Sequence, residues 1–92
     1  MILPEAVAGM KITLAWTDFP GEVLQNDLDL IVVADGVEWH GNMPGGSTAF
    51  DRKNNVEQVV LGALPAGPVH VTVRAHRVTI GPQTFALVAR AL

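Results

Sequence analysis

Strict alternation of apolar and polar residues constrains this chain more than any other feature of its sequence. Val69, Val71 and Val73 alternate with His70 and Thr72. Because successive side chains of a β-strand point to opposite faces, this period of two predicts a strand with one buried face. The same period predicts strands over residues 11–17, 27–34, 37–40, 54–61 and 84–92, with a further short strand within residues 2–7.

Turn-forming residues separate these segments. Asp35 and Gly36 form a two-residue hairpin signal between strands 27–34 and 37–40. Pro and Gly punctuate residues 18–21, 64–68 and 81–83, and residues 41–50 form a glycine-rich surface loop. No segment has helical periodicity. The pattern predicts an all-β fold, an antiparallel, jelly-roll-like β-sandwich of about six to eight strands.

Length and charge restrict both the domain count and the class of partner. The chain has 92 residues, 49% of them hydrophobic, which predicts a single domain over residues 1–92. Its net charge is −3 and its six Lys and Arg residues are scattered, so no basic stripe is present for nucleic acid. No apolar run approaches the ~20 residues of a membrane span, and the N-terminus lacks the pattern of a signal peptide. We therefore expect neither nucleic acid nor a membrane as partner.

The residues that catalysis would need are too few and too widely spaced. Ser47 is the only serine, and its glycine-rich surroundings lack the spacing of a nucleophile turn. His70 and His76 lie roughly 20 Å apart along one extended strand, too far for a shared zinc ion. We expect these two histidines and His40 to face solvent, and we expect the domain to have no enzymatic activity.

Oxygen-bearing side chains cluster at the predicted strand ends. Calcium takes six to eight hard oxygen ligands, and closely spaced carboxylates repel each other unless a cation or hydrogen-bond donors offset their charge. One interpretation is a shared metal ion; the other is that Asp and Asn bond nearby backbone amides, as they commonly do in turns. The candidate ligands are Asp27, Asp29, Asp18, Asp51, Asn54, Asn55 and Glu57.

Five short stretches, taken in order, resemble the C-terminal jelly-roll domain of secreted subtilisin-like serine proteases. The resemblance covers roughly residues 10 to 90, and it becomes specific only when the five stretches are taken together. They are residues 11–18 (KITLAWTD), 26–30 (NDLDL), 41–42 (GN), 54–57 (NNVE) and 81–87 (GPQTFAL).

The resemblance implies a function that the residue pattern alone does not. It implies a non-catalytic domain excised from a larger secreted protease, with the subtilisin-like catalytic domain of the same chain as its partner. It further implies a role in stabilising that enzyme, and bound calcium. Family members carry more polypeptide before the first matching strand, so one sheet edge is expected to be unpaired and open to weak self-association.

The two tryptophans keep an alternative function open. A β-sandwich module that binds polysaccharide or another protein would use exposed aromatic rings. Trp16 shares the parity of Ile12 and Leu14, which favours a core position, and Trp39 is expected to pack inward across the hairpin. The predicted core comprises Trp16, Leu28, Leu30, Val71, Val73, Phe85 and Leu87.

Overall fold

Seven β-strands form two antiparallel sheets in a computed structural model that describes residues 1–18, 21, 24–79 and 81–92. The described residues include no helix, and so none that is long and apolar enough to cross a membrane. This architecture confirms the predicted all-β antiparallel sandwich. The strands are β1 (Ile2–Leu3), β2 (Met10–Ala15), β3 (Asn26–Ala34), β4 (Val37–His40), β5 (Val56–Leu61), β6 (Gly67–Val78) and β7 (Ala86–Ala91).

Every strand predicted from the alternation is present. One sheet has the order β1-β6-β3-β4 and the other has the order β5-β2-β7. The predicted hairpin joins β3 to β4, and its Asp35 and Gly36 have φ angles of 49° and 76°, a left-handed conformation that favours these residue types. The turn predicted over residues 18–21 falls partly outside the described residues, which omit 19 and 20.

The core lies between β2 and β5 of one sheet and β3 of the other. Ile12, Leu14, Leu30 and Val32 are all inaccessible to solvent. Trp16 is also buried, as predicted, and its indole Nε1 donates a hydrogen bond to the backbone oxygen of Asn26 at 3.2 Å. The central strands therefore bury their inner faces completely.

The two sides of the sandwich differ. On one side, Asn42, just beyond β4, exchanges two hydrogen bonds with Gln58 of β5 and so joins the two sheets. The opposite side is formed by β6 and β7, where burial falls sharply. Phe85 and Leu87 are 49% and 41% exposed, so the prediction that they belong to the core was wrong: no strand of the described chain covers them.

Candidate metal centre

Three carboxylates from two sheets meet at one end of the sandwich. Asp27 and Asp29 lie on β3 and Glu57 lies on β5, and one carboxylate oxygen from each residue lies within 4.8 Å of the other two. Their exposed fractions are 2%, 0% and 1%. Carboxylates are rarely buried this deeply without a compensating charge, which makes the cluster the strongest candidate for a functional site.

The unequal lengths of β3 and β4 bring Glu57 into this cluster. The β4 register with β3 starts at Ile31, so the edge of β3 preceding Ile31 has no strand partner there. The backbone of Leu30 is satisfied instead by Gly41, whose N–H donates to its carbonyl at 2.9 Å, and by Glu57, whose Oε1 accepts from its N–H at 3.1 Å. Glu57 therefore replaces a missing ladder hydrogen bond.

Gly41 leaves the space that Glu57 occupies. A Cβ atom at position 41 would lie 2.4 Å from Glu57 Oε1 and 2.6 Å from Glu57 Cβ. Both distances are shorter than non-bonded atoms tolerate, so a side chain here would displace the carboxylate. The glycine in the stretch 41–42 thus has a direct structural role at the site.

Two arginines compensate part of the negative charge. Arg52 contacts Asp29 through Nη1, and the same nitrogen lies 3.6 Å from Asp27 Oδ2. Arg74 of β6 lies opposite Asp29 in the sheet register and approaches its Oδ2 to 3.1 Å. Both guanidinium groups lie over the ring of Phe50, at 4.9 and 4.6 Å from its centre. Each carboxylate oxygen of Asp29 therefore contacts one guanidinium group.

Burial changes the proton affinity of the other two carboxylates. Removal from water raises the pKa of Glu57 to about 8, and repulsion from Asp29, Asp51 and Asp27 adds to this effect, while the hydrogen bond from Leu30 opposes it. Burial also raises the pKa of Asp27, against the attraction of Arg52. Glu57 is consequently a neutral acid at pH 7 in the metal-free protein.

Two buried oxygen atoms of this cluster have no hydrogen-bond partner within the described structure. They are Oδ1 of Asp27 and Oε2 of Glu57. An unsatisfied buried polar atom costs about 1–3 kcal/mol, so such atoms generally indicate a missing proton, water or ion. Hard, oxygen-coordinated cations such as Ca²⁺ match a donor set made only of carboxylates.

The remaining predicted ligands lie in loops and make hydrogen bonds there. Asp51 accepts from the Nδ2 atoms of Asn42 and Asn54 at 2.6 and 2.8 Å, and from the backbone of Lys53 at 2.8 Å. Burial alone would raise the pKa of Asp51, but these hydrogen bonds outweigh it and hold the pKa below its usual value. Asp51 and Asn54 therefore brace the loop that carries Arg52.

Asp18 and Asn55 also act on nearby backbone. Asp18 accepts hydrogen bonds from the N–H groups of Gln25 and Asn26 at 2.8 and 2.9 Å. Asn55 donates from Nδ2 to the carbonyl of Trp16 at 2.7 Å. The structure thus brings three of the seven predicted ligands together, while the other four follow the hydrogen-bonding interpretation of Asp and Asn in turns.

His40 is buried rather than solvent-facing, which corrects the sequence prediction. It is 4% exposed, its ring stacks on Phe50 at 3.9 Å, and its two nitrogens lie 2.7 Å from the carbonyl of Ala49 and 2.8 Å from Glu38 Oε2. The loop after β4 folds back over the outer face of the sheet and covers it. Alternation within strands carries no information about how a loop packs on a sheet, so the burial of His40 could not be predicted from it.

The other candidates behave as the sequence predicts. His70 and His76 are exposed, and Ser47 accepts a hydrogen bond from the backbone of Ala49 at 3.1 Å. Trp39 is partly buried, packs against the core and lies close against Gly45. Trp16 is buried and Trp39 is partly buried, so both indole rings take part in packing.

No protein-family model matches this chain, and no curated protein matches it. The geometry of the carboxylate cluster and the sequence resemblance are therefore the two supports for a functional proposal. They meet in the same residues, because the stretches 26–30 and 54–57 supply all three carboxylates.

Proposed function

We propose that this chain is a non-catalytic accessory domain that stabilises a subtilisin-like serine protease and binds a calcium ion at Asp27, Asp29 and Glu57. The observation that carries the calcium site is the pair of buried, unpartnered oxygens on Asp27 and Glu57. The resemblance supports the protease partner and an extracellular location. Both parts of the proposal make separate predictions and are tested separately.

The residues fit a hard cation by their chemistry, because the donor atoms of the cluster are all carboxylate oxygens. Asp27 and Glu57, each of which has one buried oxygen without a hydrogen-bond partner, would be its first ligands, and Asp29 belongs to the same cluster. Bound calcium would supply the positive charge that offsets the repulsion among the three carboxylates. Because Glu57 belongs to one sheet and the two aspartates to the other, a shared ion would also join the sheets and raise the free energy of unfolding.

Protonation of Glu57 competes with this binding. The carboxyl group has a pKa of about 8 in the metal-free protein, so at pH 7 it must release a proton before it ligates a cation. Calcium affinity should therefore increase with pH up to about 8 and then level off. Non-specific binding of calcium to surface charges would not show this increase in affinity between pH 7 and pH 8.

Thermal unfolding with and without calcium tests the metal site. We expect a saturating concentration of calcium to raise the Tm by about 5 °C or more relative to EGTA. Glu57→Gln and Asp27→Asn should abolish the increase, whereas Asp35→Asn, in the exposed hairpin turn, should retain it. An identical Tm in calcium and EGTA for the unsubstituted chain would refute the calcium site.

Heat inactivation tests the partnership with a protease. A subtilisin-like catalytic domain is assayed alone, and with this chain fused to its C-terminus, after incubation at increasing temperature. We expect the fusion to retain activity longer, and we expect hydrolysis to depend entirely on the catalytic domain. Equal half-lives for the two proteins would contradict the accessory role and leave the calcium result unaffected.

A further inference from the structure

The open side of the sandwich has two free strand edges. β7 pairs with β2 along one edge, and no described strand pairs with its other edge. β6 pairs with β1 only at Gly67 and Pro68, so most of that edge of β6 is also unpaired within the described chain. A free edge presents unpaired backbone N–H and C=O groups to an incoming strand.

The inner face next to these edges is apolar and uncovered. Cross-strand partners share a face of the sheet, so Leu87, Ala89 and Ala91 face inward with Leu14, Ile12 and Met10. The three residues of β2 are buried, but all three of β7 are exposed. Two of the three are alanines, which leaves room between the sheets for larger side chains from another segment.

The charge on the outer face of this sheet indicates what kind of segment fits. Lys11 and Arg90 lie directly opposite each other on β2 and β7, and like charges in this arrangement repel. β2 and β7 contain no carboxylate, and Glu57, the only one on β5, faces inward. Residues 58–92 carry three Arg and two His but no Asp or Glu. An acidic side chain beside Arg90 would compensate the positive charge of the Lys11–Arg90 pair.

We propose that the free edge of β7 binds an extended segment of a partner protein in which apolar residues alternate with Asp or Glu. The segment adds a fourth strand to the sheet. Its apolar residues continue the inner row of Leu87 and Ala89, and its acidic residues lie on the outer row beside Arg90. A second copy of this chain is the wrong occupant, because pairing two β7 edges brings two Lys11–Arg90 pairs onto one face.

Two blocked synthetic peptides test this proposal, one of alternating Val and Glu and one of alternating Val and Lys. We expect the Val-Glu peptide to bind, with backbone amide NMR shifts concentrated in residues 86–91. The Val-Lys peptide should bind at least about fivefold more weakly, because it places further cations beside Arg90. Binding of the Val-Glu peptide should weaken as salt is added.

Matched variants locate the binding. Ala89→Lys places a charge in the inner row and should prevent binding, while Val60→Lys, on the exposed outer face of the opposite edge strand, should not. Arg90→Glu should weaken binding of the Val-Glu peptide about fivefold or more, and Lys53→Glu, in the exposed loop after Asp51, should leave it unchanged. NMR spectra of the free variants establish that each one is folded.

Several results would overturn the proposal. They are no binding of the Val-Glu peptide, equal binding of both peptides, shifts centred outside β7, and an unchanged affinity in Ala89→Lys. A concentration-dependent dimer that uses the β7 edge would also overturn it and would identify a second copy as the occupant.

Discussion

The side chain of Glu57 in one sheet accepts a 3.1 Å hydrogen bond from the backbone N–H of Leu30 in the other. This contact fills the position on β3 that β4 leaves unpaired, and it places a carboxyl group among two other acids. The same residue therefore completes a backbone ladder and creates an electrostatic conflict. Both consequences can be tested with single substitutions.

Replacing Glu57 by Gln should flatten the pH dependence of stability. The pKa of Glu57 is about 8 when folded against 4.5 in its unperturbed state, so between these values the folded protein binds the extra proton. Stability from this group is thus fully present below pH 4.5 and is lost as pH rises to about 8. In EGTA, we expect the unsubstituted chain to lose about 1–3 kcal/mol more than Glu57→Gln over this window.

Urea unfolding across that pH range measures the difference. Gln keeps an oxygen that accepts from Leu30 and cannot ionise, so it mimics the protonated acid. Parallel stability curves for the two proteins would show that Glu57 titrates normally.

Loss of Arg52 should leave buried negative charge uncompensated. Its guanidinium contacts Asp29 and lies near Asp27, and only Arg74 remains beside Asp29 after Arg52→Met. We expect a cost of about 1–3 kcal/mol in EGTA, measured by urea unfolding. Lys53→Met, at the neighbouring exposed position, should change stability by less than about 0.5 kcal/mol. A loss of stability in Arg52→Met as small as that in Lys53→Met would show that Arg52 contributes little.

Substituting Gly41 by Ala should destabilise the protein through Glu57. The added Cβ would lie 2.4 Å from Glu57 Oε1, so the carboxylate must move away from Leu30. We expect a loss of about 1–3 kcal/mol in thermal or urea unfolding. Gly62→Ala meets no atom within 4 Å and should be tolerated. If Gly41→Ala leaves the free energy of unfolding unchanged, Glu57 has room to move away from the added Cβ atom.

Truncating two leucines that lie side by side on β2 and β7 should show that the sandwich is open on one side. Leu14 and Leu87 are register partners in the same sheet, yet Leu14 is 0% exposed and Leu87 is 41% exposed. Leu14→Ala should cost about 2–5 kcal/mol, whereas Leu87→Ala should cost less than about 1.5 kcal/mol. Equal losses would show that Leu87 is covered in solution.

The sequence predicted the strands well because each strand carries its own evidence. Alternation in β2, β3 and β6 identifies each strand and the apolar face that it is able to bury, and Asp35 and Gly36 indicate a hairpin through their tolerance of left-handed backbone. These signals are local, and they do not depend on what the rest of the chain does. The all-β class followed from them directly.

Local signals could not separate the three clustered carboxylates from the other candidates. Asp18 and Asp51 lie beside predicted turns, Glu57 lies near the start of a predicted strand, and all three have polar neighbours in the sequence. Only the pairing of β3 with a shorter β4, and the position of β5 across the sandwich, brings Glu57 to Asp27 and Asp29. Arg52 and Arg74 were missed for the same reason.

The exposed inner face of β7 also shows which features the sequence predicts and which depend on the tertiary structure. The sequence alone placed Phe85, Leu87 and Ala89 on one face of a strand predicted over residues 84–92, and the structure has that strand at Ala86–Ala91. Whether that strand is covered depends on the order of strands in each sheet, which places β7 at an edge with no described partner. Periodicity specifies a face that is able to be buried, whereas only the tertiary arrangement supplies the neighbour that buries it.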